Sequence, residues 1–343
     1  MVADSGRLSM PDPCKIRPPL RRCGRVILIG SVDEIRDPVV RCSGRSPAAE
    51  RSTRAQIHDR ERGPLGTRIE WPAPASRLYM DSDVLVTFCL TPSLGERAIE
   101  AFVEELSPDE RARHDALVFA RDRRDYAAAH ALLRRTLSAL SDVAPHEWCF
   151  ASGIHGKPRL SPSLAERTHL SFNLAHTDGL VACAISQDRE IGIDVEAIDR
   201  RIEAWNIADK FFSPHEVAAL KGCDESERNV RFVETWTLKE AYLKALGVGL
   251  SAPLDDFTFV FDGAAGLRLE RDDASLPLPW RFDLFAPSER HRLAVAIGKT
   301  SPQERRLSVR VEALENGRLS ETNVPLRRST AVLCRTYHHN IQS

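Results

Sequence analysis

From residue 83 onward the apolar positions switch between a period of two and a period near four, the signatures of strands and helices. "DVLVTFCL" (83–90) predicts a strand. "LSPDERARHDAL" (106–117) predicts a helix start, with Ser107 as N-cap, Pro108 at the first helical position and Glu110 completing a capping box. "RRDYAAAHALLRRTLSAL" (123–140) carries alanine and leucine at helical spacing. "HLSFNL" and "LVACAIS" predict strands on either side of the turn residues "HTDG". "IGIDVE" (191–196) predicts a further strand, apolar until its acidic end.

The second half repeats this order. "FFSPHEVAAL" (211–220) places Ser213, Pro214 and Glu216 in the same capping roles. "VRFVETWTLKEAYLKALG" (230–247) predicts a long helix closed by Gly247. Strands are expected in "FTFVF", "WRFDLF", "HRLAVAIG" and "RLSVRVEAL". The shared S-P-x-E cap, each time followed by a second helix, points to a duplicated α/β unit. Residues 317–343 show no period and read as a flexible tail. Residues 1–79 are rich in arginine, proline and serine, a composition that supports a disordered leader rather than a packed domain. Met80 stands just before the first strand and reads as an alternative start.

Composition narrows the function classes. The chain has 343 residues, 42% of them apolar, with a formal net charge of -1, which argues against bulk electrostatic binding of nucleic acid. No apolar run of membrane-spanning length occurs, so no membrane partner is expected. The eight cysteines form no CxxC pair and have no zinc-like spacing with histidine. They read as small buried hydrophobes of a protein kept in a reducing cytoplasm.

Two segments carry chemistry. In "GIDVE", Asp194 and Glu196 are two apart, so on a strand they share one side. Two carboxylates at a strand end suit Mg²⁺, a hard cation that needs few carboxylates when phosphate oxygens complete its shell. In "WTLKEAYLK", Trp236, Glu240 and Lys244 are spaced by four and share a helix face, with Lys239 beside them. Taken singly, D-x-E is a common pattern, and Glu240 with Lys244 is equally an ordinary helix ion pair.

Together these pieces resemble the 4'-phosphopantetheinyl transferase superfamily, in its longer, two-subdomain Sfp form. The likeness runs from about residue 83 to about 315, through "LSPDERAR", "VFARD", "GKPRL", "FNLAHT", "GIDVE", "FFSPHE" and "WTLKEAYLKALGVGL". It implies an α+β fold, a pseudo-dimer of two similar α/β subdomains (82–196 and 197–316) with the active site in the cleft between them. It implies Mg²⁺ held on the pyrophosphate of coenzyme A by Asp194, Glu196 and Glu240, Glu196 directly or through water. The Glu240 position is also implied as the base for a serine nucleophile.

The implied reaction moves the phosphopantetheine arm of coenzyme A to a serine of an apo carrier protein and releases adenosine 3',5'-bisphosphate. Lys239 and Lys244 are the candidates for the basic group near the leaving phosphate. The resemblance points to Lys157, His176 and Arg113 for the coenzyme A pocket. Arg121 and Arg134 are further candidates, Arg134 with a structural pairing to Asp122 as its alternative role. The protein is expected to act as a monomer. Ala175 stands where the family usually has serine, a loss of about 1 kcal/mol of phosphate contact. That departure leaves a non-catalytic coenzyme A-binding or carrier-docking module as the alternative reading.

Overall fold

The computed structural model describes residues 82–330, apart from 153–156, 200–203, 250–252, 272–279, 300–303, 305–306 and 316–317. The leader expected over residues 1–79, Met80 and the end of the expected tail lie outside the described residues.

The first half runs from strand β1 (Val84–Leu90) through helices α1 (Glu96–Glu104), α2 (Pro108–Ala116) and α3 (Ala120–Ala139). The hairpin β2 (Phe150–Ser152) and β3 (Pro158–Leu160), helix α4 (Pro162–Thr168), and strands β4 (Leu170–Thr177) and β5 (Leu180–Gln187) follow. The second half opens with β6 (Ile191–Ala197), then α5 (Ala204–Phe211), α6 (Pro214–Lys221) and α7 (Glu225–Leu246). It continues with β7 (Phe257–Asp262), β8 (Gly266–Arg271), β9 (Trp280–Phe285) and β10 (His291–Gly298). Three late strands, β11 (Val309–Glu315), β12 (Arg318–Glu321) and β13 (Leu326–Ser329), end the described chain.

The strands form two main sheets, ordered β12-β11-β1-β5-β4 and β6-β10-β9-β13-β8-β7. Within them β1-β5-β4 and β6-β10-β9 have the same order and the same antiparallel pairing. Each trio is interrupted after its first strand by a capped helix and a long helix. This is the duplication expected from the sequence, and the fold is α+β with two similar halves.

Strand alternation builds four layers. Val84, Val86 and Phe88 of β1 join Ile193, Val195, Leu293 and Val295 in a core between the two sheets. Leu85 and Cys89 face the other way, onto Leu132, Leu133 and Leu137 of α3. Ala294 and Ala296 of β10 face Leu238, Ala241 and Tyr242 of α7. A long helix therefore covers the outer face of each sheet, as period-two strands buried on both faces require.

The two S-P-x-E caps serve as more than helix stops. Both capping boxes form, and in each the glutamate also reaches the following long helix. Both carboxylate oxygens of Glu110 accept from Arg134 Nη2 (2.9 and 2.8 Å), and Oε1 meets His130 Nδ1 at 3.0 Å. Glu216 pairs with Lys239 Nζ at 2.8 Å and accepts from Phe259 N at 2.8 Å. Buried charges need such partners.

Three sequence expectations change here. Arg134 pairs with Glu110, Pro145 O and Trp148 O rather than with Asp122; Asp122 pairs instead with Arg121. The stretch from 318 to 329, expected to be loose, holds two short strands: β12, which forms a hairpin with β11, and β13, whose partners β8 and β9 are remote in sequence. The boundary at 196 also shifts, because β6 pairs with β10 and belongs to the second sheet, while β11 runs parallel to β1 in the first.

Candidate active site

The site begins with a glycine. On β6, Ile191, Ile193 and Val195 point into the core between the sheets. Gly192, Asp194 and Glu196 therefore face α7. A Cβ at Gly192 would lie 2.1 Å from Ala241 O and 2.3 Å from Ala245 N, so only glycine lets α7 lie this close on β6. That close approach brings Lys244 Nζ to 2.6 Å from Asp194 Oδ1.

Lys244 sits among the acids predicted from sequence. Burial by itself would lower its pKa, yet the attraction of Asp194, Glu240 and Glu196 holds it above the usual lysine value. Asp194, Glu196 and Glu240 are all buried. One cationic head thus gathers three carboxylates from a strand and a helix. Among the described residues no group of three His, Cys, Asp or Glu side chains stands as a ready-made metal cage. The donor set is nonetheless hard oxygen, part of its negative charge here offset by the Lys244 ammonium, and it fits a magnesium ion that takes its remaining ligands from phosphate.

His176, half-buried on β4, lies between the two halves. Its pKa is lowered by burial first, then by Lys244, while Asp125 and Asp122 of α3 oppose the shift. The imidazole is therefore within electrostatic range of α7 on one side and of α3 on the other. Asn173, three residues before it, accepts at its Oδ1 from Ile193 N at 2.7 Å and ties the edge of one sheet to the edge of the next. Nothing in the sequence pattern singled out Asn173 or Gly192, because both roles depend on a neighbour remote in sequence.

The other expected pocket residues are dispersed. Lys157 Nζ donates to Ile191 O (3.1 Å) and Ala245 O (3.3 Å), bracing the start of β6 against the end of α7. Burial pushes its pKa down to about 8. Arg113 is half-buried in the last turn of α2, within electrostatic range of Tyr126 on α3. Arg121 is exposed at the start of α3, beside Asp122 and over the Phe119 ring. Trp236 packs with Phe211, Phe212 and Phe232.

Lys239 must be corrected. It is fully buried, and its three donors go to Leu254 O (2.6 Å), Phe257 O (2.7 Å) and Glu216 Oε2 (2.8 Å). One residue from Glu240 is about 100° around a helix, so adjacency in sequence turned Lys239 away from the acids. Ala175 also takes on a plain role: its side chain lies in the apolar layer between the sheets.

The chain was compared with known proteins. Residues 190–296 match the profile of the 4'-phosphopantetheinyl transferase superfamily, and residues 92–188 match that of the 4'-phosphopantetheinyl transferase N-terminal region. The 4'-phosphopantetheinyl transferase HetI of Nostoc sp. is 30% identical over 227 residues, 66% of this chain and 93% of that protein. The 4'-phosphopantetheinyl transferase Sfp of Bacillus subtilis is 28% identical over 184 residues, 54% of this chain and 79% of that protein. Among solved structures, a holo-(acyl-carrier-protein) synthase from Bacillus anthracis in complex with CoA (3',5'-ADP) is similar with a TM-score of 0.29 and 22% identity, covering 33% of this chain and 96% of that one.

Proposed function

The chain belongs to the 4'-phosphopantetheinyl transferase superfamily, and from that membership we propose how its own residues carry the reaction. It is an enzyme that moves 4'-phosphopantetheine from coenzyme A to carrier proteins. The observation that carries the assignment of residues is the gathering of Asp194, Glu196 and Glu240 around Lys244 where α7 crosses β6.

Asp194 and Glu240 would hold Mg²⁺, with Glu196 behind them. When bound, the ion offsets the charge that develops on the pyrophosphate. In the reaction a serine Oγ–phosphorus bond forms at the β-phosphate and the bond to the leaving adenosine 3',5'-bisphosphate breaks. The serine proton passes to a Glu240 carboxylate oxygen, directly or through one water. Lys244 stays an ammonium, because the surrounding carboxylates raise its pKa, and it acts by charge rather than by proton transfer. His176 and Lys157 flank the same seam and supply donors for phosphate, Lys157 with the N–H that its two backbone bonds leave over. Arg113 and Arg121 extend the basic lining along the first half. Positioning and charge stabilisation are what a phosphoryl-type transfer chiefly requires.

The test mixes the protein with Mg²⁺, coenzyme A and apo acyl or peptidyl carrier proteins. Mass spectrometry should show a carrier gaining one phosphopantetheine arm, and omitting Mg²⁺ should abolish the gain. Asp194→Ala and Glu240→Ala should each lower the rate on the order of 10²–10³-fold. Wild-type rates in either variant would overturn the assignment.

A further inference from the structure

β6 carries two of the three acids, yet it is an edge strand. It pairs with β10 on one side, and its other side faces β4, the edge strand of the first sheet. Among the described residues no strand pairing joins these two edges. Side chains do so instead. Lys157 Nζ donates to Ile191 O at 3.1 Å, and Asn173 Oδ1 accepts from Ile193 N at 2.7 Å. Backbone polar groups of alternate residues point to one side of a strand, so both bonds hold the same outer edge of β6.

Asn173 is an unusual residue for its place. It is 2% exposed, and on β4 it lies opposite Ala184 of β5, which lies opposite Val86 of β1. Val86 and Ala184 belong to the apolar core between the sheets, as does Ala175 two residues further along β4. Cross-strand neighbours share a face, so the amide of Asn173 projects into that apolar layer. An amide there is costly unless it is hydrogen-bonded. A backbone N–H can only donate, so the amide oxygen is the end that meets Ile193. A leucine of similar volume would fill the layer without a polar group to satisfy. Packing alone therefore does not account for asparagine at 173, whereas the bond to β6 does.

The bond also lies between the two parts of the site. Ile193 immediately precedes Asp194 on β6, and Asn173 stands three residues before His176 on β4. One face of β6 is already fixed by the close approach of α7 at Gly192. We propose that Asn173 is a positioning residue for the transfer: it locks β6 against β4 and so sets the separation of the metal-holding acids from the phosphate-binding His176. This rests on the transfer reading given above. Asn173 acts through others, through the Ile193 N–H on the backbone beside Asp194 and along β4 on His176. The pyrophosphate of coenzyme A has to meet both parts at once. A small slip of one edge against the other therefore loosens the metal and coenzyme A when they are bound together, while coenzyme A bound without metal is little affected.

Three substitutions in the full chain separate the bond from the packing. Asn173→Leu removes the acceptor at similar volume, Asn173→Ala removes it with a smaller side chain, and Asn173→Asp keeps an oxygen towards Ile193. Amide exchange at Ile193 is followed in the metal-free protein, where both apolar variants should exchange faster and Asn173→Asp should stay protected. Mn²⁺, a paramagnetic stand-in for Mg²⁺, is titrated by electron paramagnetic resonance with coenzyme A present. Its affinity should fall roughly tenfold or more in Asn173→Leu and Asn173→Ala. Coenzyme A affinity in EDTA should stay within about twofold. In steady-state transfer, corrected for the folded fraction, kcat should fall about 10–100-fold while KM for carrier holds. Asn173→Asp should recover kcat to within about threefold of wild type, since a carboxylate also accepts from the N–H. Lower stability alone would leave the Mn²⁺ affinity of the folded fraction unchanged. Wild-type Mn²⁺ affinity and kcat in both folded apolar variants overturn the positioning role, as does unchanged exchange at Ile193. A wild type that binds no Mn²⁺ and modifies no carrier overturns the transfer reading itself, a result distinct from an active wild type matched by its variants.

Discussion

At the scale of single residues, the structure separates lysines that the sequence places side by side. Lys244 points to Asp194, while Lys239 is buried against Glu216 and two backbone carbonyls. Removing one partner of a buried ion pair leaves a charge without compensation. Lys239→Met should therefore cost roughly 3–5 kcal/mol of stability, read by denaturant unfolding. The KM for coenzyme A, measured on the folded fraction, should not move. A raised KM at unchanged stability would return Lys239 to the coenzyme A pocket. The acids and Lys244 were legible as a motif, since i+2 on a strand and i+4 on a helix fix which side chains share a side. The role of Lys239 was not legible, because its partners come from 23 residues earlier and from the start of β7.

At the scale of elements, the capped helices were the most readable features of the chain. Ser107 and Ser213 cap as predicted, since the capping box is a purely local arrangement. Their glutamates also act at longer range. Burial tends to raise the Glu110 carboxyl, but the hydrogen bond and charge of His130 and the charge of Arg134 bring it down to about 2 from 4.5. The unfolded chain then binds the proton more readily between these values. The stabilisation is fully present above about pH 4.5 and is lost as the pH falls through about 2. It amounts to about 3 kcal/mol. Glu110→Gln should lose this at neutral pH and show a flatter dependence of unfolding free energy on pH from 4.5 down to 2, followed by urea unfolding at each pH. An unchanged acid limb would refute the role of the pair. Helix α1 and the short strands β8, β12 and β13 escaped the sequence pattern, being brief and only partly buried.

At the scale of the whole molecule, late strands stitch the two halves together. β11 pairs with β1 in parallel, and β13 inserts between β8 and β9. Ending the chain at residue 306 would expose the β1 edge and uncover Val86 and Phe88 in the layer between the sheets. Such a truncation should express as aggregated protein or unfold well below the full chain in a thermal scan. A soluble truncation of equal stability would show that β11 and β13 are dispensable. The sequence by itself determined the duplicated order of capped helix, long helix and strand pair, and it placed two acids on a strand and a third on a helix. Each of these is set by side-chain period and local hydrogen bonding, which act over a few residues. Only the tertiary structure decided that Gly192 lets α7 close onto β6, that Lys244 rather than Lys239 joins the acids, and that Arg292 of β10 comes to lie opposite Glu196. Those outcomes depend on how closely distant segments pack and which face each helix turns inward, and neither is encoded in the spacing of residues along the chain.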